Sequence, residues 1–160
     1  MGAPKKTATT GAALAIMIAA PFTAQHEGLR LSAYLDPVGI ATICYGETEG
    51  IRLGDEMTKD ECDSLFKFRL GFFAQMVDLL IEPDMKPETH AALTSFTYNV
   101  GITAFRNSTL RKKMNEGKFI EACNELMRWK FAGGRELQGL INRREAEKVL
   151  CLKGGIDVRA

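Results

Sequence analysis

Glu27, Asp36 and Thr42 stand at offsets of nine and six in the stretch HEGLRLSAYLDPVGIATICYG, residues 26–46. Two carboxyls and a hydroxyl, set in a run of apolar and turn-forming residues, are the parts needed to cut a glycosidic bond. That reaction takes a proton for the departing oxygen and a base or nucleophile on the opposite face of the sugar. The proton donor must stay protonated near neutral pH, which asks for a partly buried carboxyl. Glu27 suits this, lying among apolar residues where an uncharged segment meets a hairpin. The second carboxyl must remain ionised in a wetter place, and Asp36 on the D-P-V-G turn meets that need. Thr42, on the returning strand, could hold a water in line for attack. A carboxyl separation of roughly 6.5–9.5 Å admits that water and inverts, whereas about 5–5.5 Å gives a covalent, retaining route. Each residue also has an ordinary alternative. HEG can simply end a helix, an Asp before Pro is a turn former, and Thr is common in strands.

The elements that must position these groups are legible in outline. LSAYLDPVGIATICYGETEGIRLGD mixes β-branched and aromatic residues with turn dipeptides, which predicts two or three short strands in a hairpin or meander. Thr58 to Glu61 reads T-K-D-E, a capping box, and opens a long helix ending near Glu82 and Pro83. Pro87 starts the next helix and Gly101 stops it. Ser108 caps a short helix, and two more are predicted over Lys118 to about Phe131 and Glu136 to about Leu152, joined by AGGR. The fold class is α+β with the sheet segregated to one end: a β-lobe over about residues 27–57 and an α-lobe over about 58–155, with a cleft between them.

A chain of 160 residues, 46% hydrophobic and 26% charged, fits one soluble globular domain. Net charge is only +1, so nothing global suggests nucleic acid. Residues 27–105 carry a net −7 and residues 106–160 a net +6, so two lobes of opposite sign could attract each other or line a cleft. Cys44, Cys62, Cys123 and Cys151 form no C-x-x-C, which argues against zinc and thioredoxin-like chemistry. They allow two disulfides in three possible pairings, or four buried thiols. Lys5 and Lys6 precede TATTGAALAIMIAAPFTAQ, 19 residues without a charge. As a helix it would span about 28 Å, near bilayer thickness. Its large apolar members are few, and Pro21 is expected to kink or end it. Neither the Ile18–Ala20 site, followed by Pro21, nor a cut after Ala24 makes a good signal cleavage site. A permanent anchor, a marginal segment that enters and leaves the membrane, and a buried helix of the domain all remain open.

The segment E-G-x7-D-x5-T, met at Glu27, Gly28, Asp36 and Thr42, resembles the active-site pattern of phage-type lysozymes, the endolysins of glycoside hydrolase family 24. ALTSFTYNVG, STLRKKMNEG and RWKFAGGRELQGLINRREAE resemble that family's α-lobe, so the likeness covers about residues 22–152. It implies a lysozyme-like fold and hydrolysis of the β-1,4 MurNAc–GlcNAc bond of peptidoglycan, with no metal or other cofactor. Glu27 is then the general acid, and Asp36 and Thr42 serve the attacking water. A lytic transglycosylase and a catalytically dead wall-binding module are the rival expectations. Glu47 stands where many relatives carry His, so a His–Asp pairing there is missing. His26 could tune the acid, Trp129 and Arg128 could flank the sugar cleft, and Asn99 and Tyr98 could stand behind the site. Arg143 or Arg144 could pair with Glu27. The N-terminus resembles signal-arrest-release segments, which implies residues 1–25 as a weak membrane segment ahead of a catalytic domain over 26–160. The partners are then peptidoglycan and the host inner membrane with its export machinery. A monomer would be tethered inactive and later released to the periplasm; waiting in the cytoplasm for a holin is the alternative. The expected disulfides are Cys44–Cys62 and Cys123–Cys151, each taken to lie within one lobe. The second requires a steep crossing of the last two helices.

Overall fold

The computed structural model describes residues 8–157; the basic pair Lys5 and Lys6 lies outside them. Helix α1 (Ala8–Ala24) leads into strands β1 (Arg30–Leu35) and β2 (Ala41–Cys44). Helix α2 (Lys59–Leu80) then crosses to the helical lobe, followed by β3 (Asp84–Met85) and α3 (Pro87–Val100). Short helices α4 (Ile102–Arg106), α5 (Thr109–Asn115) and α6 (Phe119–Glu125) come next. The β4–β5 pair (Phe131–Ala132, Arg135–Glu136), α7 (Gln138–Lys153) and β6 (Ile156–Asp157) complete the chain.

The capping box at the head of α2 is formed. Thr58 Oγ1 accepts from the Glu61 amide at 3.2 Å, and the Thr58 amide donates to Glu61 Oε2 at 2.7 Å. Helix α3 is buried on all sides from Thr89 to Thr97, so it is the axle of the lobe. Its polar side chains are satisfied locally or by neighbours. Thr94 and Thr97 donate back to the His90 and Leu93 carbonyls, and Thr89 Oγ1 donates to the Cys151 carbonyl on α7. One apolar cluster packs α3 residues Leu93 and Phe96 against Val77, Phe105, Leu110, Met114 and Leu126. A second joins the lobes through Ala19, Ile43, Tyr45, Phe66, Leu70 and Ala91.

Helix α1 packs on α2 and α3 through small residues: Ala15, Ala19 and Thr23, four apart, are fully buried. Its large apolar residues Leu14 and Met17 face outward, Met17 being 72% exposed. Of the two outcomes expected at Pro21, a kink or an end, the helix does not end there but runs on to Ala24. Pro21 sits near the C-terminus on the exposed side, where one missing hydrogen bond leaves the packed Ala19–Thr23 face intact. Among the described residues no helix is long and apolar enough to cross a membrane.

Two further expectations are corrected. The helix predicted over Lys118 to Phe131 stops at Glu125 and tightens into a 3-10 turn, Leu126–Arg128. The chain then forms the β4–β5 hairpin, because Gly133 and Gly134 both take the positive φ that a two-residue turn demands. That interruption lets α6 meet α7 near its end, where the Cys123–Cys151 disulfide closes. The other disulfide, Cys44–Cys62, joins β2 to α2 and therefore ties the two lobes together rather than lying inside one.

Candidate active site

Glu27 stands on the turn that ends α1. That turn is closed by the His26 amide on the Thr23 carbonyl at 2.9 Å and the Glu27 amide on the Ala24 carbonyl at 3.3 Å. Its half-buried carboxylate takes a hydrogen bond from Arg143 Nη1 at 2.7 Å. Arg143 is almost fully buried on α7. Its Nε faces Glu147 Oε1 at 3.2 Å, and its Nη2 donates to the Ser95 carbonyl at 3.3 Å. Glu147 is fully buried and also accepts from Ser95 Oγ at 2.8 Å. Arg144, buried beside it, hydrogen-bonds Asn99 Oδ1 and lies over the Phe96 ring at 4.9 Å. Arg144 Nη1 and Glu147 Oε2 lie 3.0 Å apart without the alignment of a hydrogen bond. Burial raises the Glu147 carboxyl and lowers the Arg144 guanidinium to about 10. Near neutral pH Arg144 therefore stays charged.

His26 packs edge-on against Phe22 at 5.4 Å. Burial holds its imidazole below the ordinary value, helped by Arg143 and Arg144 and opposed by Glu27.

The hairpin places the other two groups. Asp36 leaves β1 and Thr42 lies on β2, opposite Tyr34. Asp36 Oδ1 accepts from the amides of Val38 at 3.0 Å and Ile40 at 2.8 Å, while the Asp36 amide donates to the Ile40 carbonyl. One carboxylate oxygen thus shapes the turn. Thr42 is buried and its hydroxyl donates to the Ile40 carbonyl at 2.9 Å. With its hydrogen used there, Thr42 Oγ1 can only accept further bonds.

A cleft of about 370 Å³ is lined by Glu27, Glu47, Arg69, Phe73, Tyr98 and Asn99 among others. Asp36 and Thr42 are not among its lining residues. Glu47 occupies the position after the strand glycine, and there it makes a two-pronged pair with Arg69 of α2, at 2.8 and 2.7 Å. Arg69 also reaches Glu49. The Arg69 guanidinium holds the Glu47 carboxyl below its usual value. Tyr98, mostly buried between Glu27 and Glu47, is pushed up to about 12 and stays protonated.

Arg128 and Trp129 stand elsewhere. Arg128 is exposed and faces Glu125 at 3.3 Å, while Trp129 packs edge-on to Phe96 at 5.3 Å in the helical core. A larger groove, about 500 Å³, runs between α1 and α2 past Met17, Pro21 and Phe66 and touches none of Glu27, Asp36 and Thr42. Sequence reasoning missed Glu147, Ser95 and Arg69. For Glu147 a signal existed, since Arg143 and Arg144 precede it by four and three residues on one helix. Glu47 and Arg69, 22 residues apart on different elements, carried none.

A two-lobed α+β body with a carboxyl at its cleft is the architecture of a lysozyme, and the sequence pattern described as Phage lysozyme matches residues 24–147. The chain belongs to the phage lysozyme family, and it is a glycoside hydrolase of the endolysin class. It is 43% identical over 129 residues to a SAR-endolysin of Bacteriophage PS119, covering 80% of this chain and 77% of that protein. Among solved structures, the muramidase domain of SpmX from Asticaccaulis excentricus superposes with a TM-score of 0.79 at 33% identity, over 84% of this chain and 95% of that one. An endolysin from Escherichia coli O157:H7 phage FAHEc1 gives 0.76 at 30% identity, over 84% and 90%.

Proposed function

We propose that the protein lyses the host at the end of a phage cycle by hydrolysing the MurNAc–GlcNAc β-1,4 bond of peptidoglycan, with Glu27 as the general acid. The observation that carries this is the seat of Glu27: at the cleft wall, half-buried, and oriented by a hydrogen bond from a buried Arg143. An acid needs a fixed direction toward the departing oxygen, and a buried guanidinium supplies it. Asp36 and Thr42 serve the water. A nucleophilic water must give its hydrogens to acceptors to keep a lone pair aimed at the sugar. Thr42 Oγ1 is an acceptor because its own hydrogen goes to Ile40, and Asp36 keeps Oδ2 outside the turn bonds to Oδ1.

Residues 1–25 first hold the chain at the inner membrane, and release into the periplasm lets α1 dock. The side chains of α1 support this double use. Leu14 and Met17 face out of the folded enzyme and suit lipid, whereas Ala15, Ala19 and Thr23 form the docking face. Since Glu27 lies three residues beyond α1, the docking of α1 brings the acid to Arg143.

Digestion of purified peptidoglycan by wild type and Glu27→Gln tests the chemistry. Wild type is expected to release reducing ends, and Glu27→Gln to lose at least about 10³-fold in rate while keeping its thermal transition. Full lysis by Glu27→Gln would remove the assignment, and anhydro-muramyl products would convert the enzyme to a transglycosylase. Fractionation of expressing cells tests the route: a membrane pool that gives way to a periplasmic one is expected, and protein found only in the cytosol would rule it out.

A further inference from the structure

We propose that Glu147 is a positioning residue for the acid Glu27, acting through Arg143; this rests on the reading of Glu27 as the acid. Glu147 does not line the cleft, and its carboxylate is fully buried on α7. It is held on two sides at Oε1, by Ser95 Oγ from α3 at 2.8 Å and by Arg143 Nε at 3.2 Å. The other end of the same guanidinium reaches Glu27 at 2.7 Å. Glu147 thus fixes the rotation of Arg143, and Arg143 fixes the acid.

The charges around Glu27 give the arrangement its meaning. From α7 come Arg143, Arg144 and Glu147; from the turn after α1 comes His26, and from α3 Tyr98. Across the cleft stand Glu47 of the β-lobe and Arg69 of α2. Two guanidiniums lie in the buried set, faced by the carboxyls of Glu27 and Glu147. Without Glu147, the Nε edge of Arg143 would lose its partner, and the guanidinium that touches Glu27 would be free to turn. Buried ion pairs seldom repay their desolvation in stability when compared with an apolar replacement. A fully buried carboxylate at this place therefore points to control of the group that Arg143 touches.

The experiment uses the full chain and follows solubilisation of purified peptidoglycan across pH 4–9, well below the lowest melting temperature. Wild type, Glu147→Gln, Glu147→Asp and Leu126→Ala are compared. Leu126→Ala opens a cavity in the helical core without altering any charge and reports what lost stability alone does. Glu147→Gln is expected to lose about tenfold in rate at the wild-type optimum. The alkaline limb of its pH profile moves to lower pH by about half a unit to one unit. Glu147→Asp keeps the limb in place because the charge is retained, and so does Leu126→Ala. A Glu147→Gln enzyme whose limb coincides with wild type overturns the positioning role. Should that variant not fold, Ser95→Ala decides: it removes one of the two bonds that hold Glu147 Oε1 while leaving every charge, and is expected to cost at least about threefold in rate with the limb unmoved. An undiminished Ser95→Ala enzyme overturns the proposal. If Glu27→Gln still lyses walls, the acid assignment itself falls; an inert Glu27→Gln beside an unmoved Glu147→Gln limb removes only the role of Glu147.

Discussion

Thr42 shows how a single hydrogen bond can assign a side chain its duty. Its hydroxyl hydrogen is committed to the Ile40 carbonyl, so toward any neighbour it is an acceptor. Thr42→Val keeps the branched shape that suits β2 but removes that acceptor. Wall hydrolysis is expected to fall by about 10²-fold with little change in melting temperature, as turbidity clearing and calorimetry would show. His26 makes a second prediction, on stability. Its surroundings lower its proton affinity below the ordinary 6.5, so the unfolded chain binds the proton first as pH falls. The stability His26 contributes is present above pH 6.5 and is lost as pH drops through the lowered folded value. Glu47, held down by Arg69, acts in the same direction: its contribution is present above the ordinary 4.5 and is lost as pH falls through its own lowered value. His26→Gln should therefore flatten the denaturation midpoint against pH just below 6.5 while leaving the steeper fall below 4.5. A curve identical to wild type would contradict this.

Among the elements, α1 has little tolerance for added volume on its packed face. Ala15, Ala19 and Ala20 lie against the α2–α3 layer, where Ala91 offers an equally small surface. Ala19→Leu forces a larger side chain into a closed contact and should cost about 1–3 kcal/mol, lowering Tm by several degrees. The same substitution should slow wall hydrolysis, since α1 carries Glu27 toward Arg143. Much at this scale was legible in the sequence because the signals are local. The T-K-D-E box, Pro87 with Gly101, and the D-P-V-G turn each announce an end or a corner within four residues. The broken helix after Glu125 was less legible, because Leu126, Met127 and Arg128 still read as helix formers and only Gly133 and Gly134 mark the turn. Long-range partners were legible only where the family resemblance suggested them, as for Arg143 beside Glu27 and the two disulfides. Ser95 meets Glu147 across 52 residues where α3 and α7 cross, and Trp129 turns to Phe96 in the core from the chain after the 3-10 turn.

For the molecule as a whole, the two disulfides do different work. Cys123–Cys151 fastens α6 to α7 inside the helical lobe, whereas Cys44–Cys62 fastens the hairpin lobe to α2. Each removes freedom from the unfolded chain, about 3 kcal/mol for loops of this length, or roughly 6–12 °C in Tm. Replacing both cysteines of either pair by serine should lower thermal stability by about that much. The Cys44→Ser/Cys62→Ser enzyme should in addition lose hydrolysis below its melting temperature, because Thr42 stands two residues from the staple. Equal activity in the two double variants would refute that division. The outward side of α1 bears on how the gene can change. Met17 touches solvent in the folded enzyme while Ala19 is sealed within it. On the proposed route through the membrane, a polar residue at 17 should spare the purified enzyme and spoil delivery, and a bulky one at 19 should do the reverse. Screens for lysis from within and for clearing from without would then recover different alleles from neighbouring codons, so one short helix keeps two genetic records side by side.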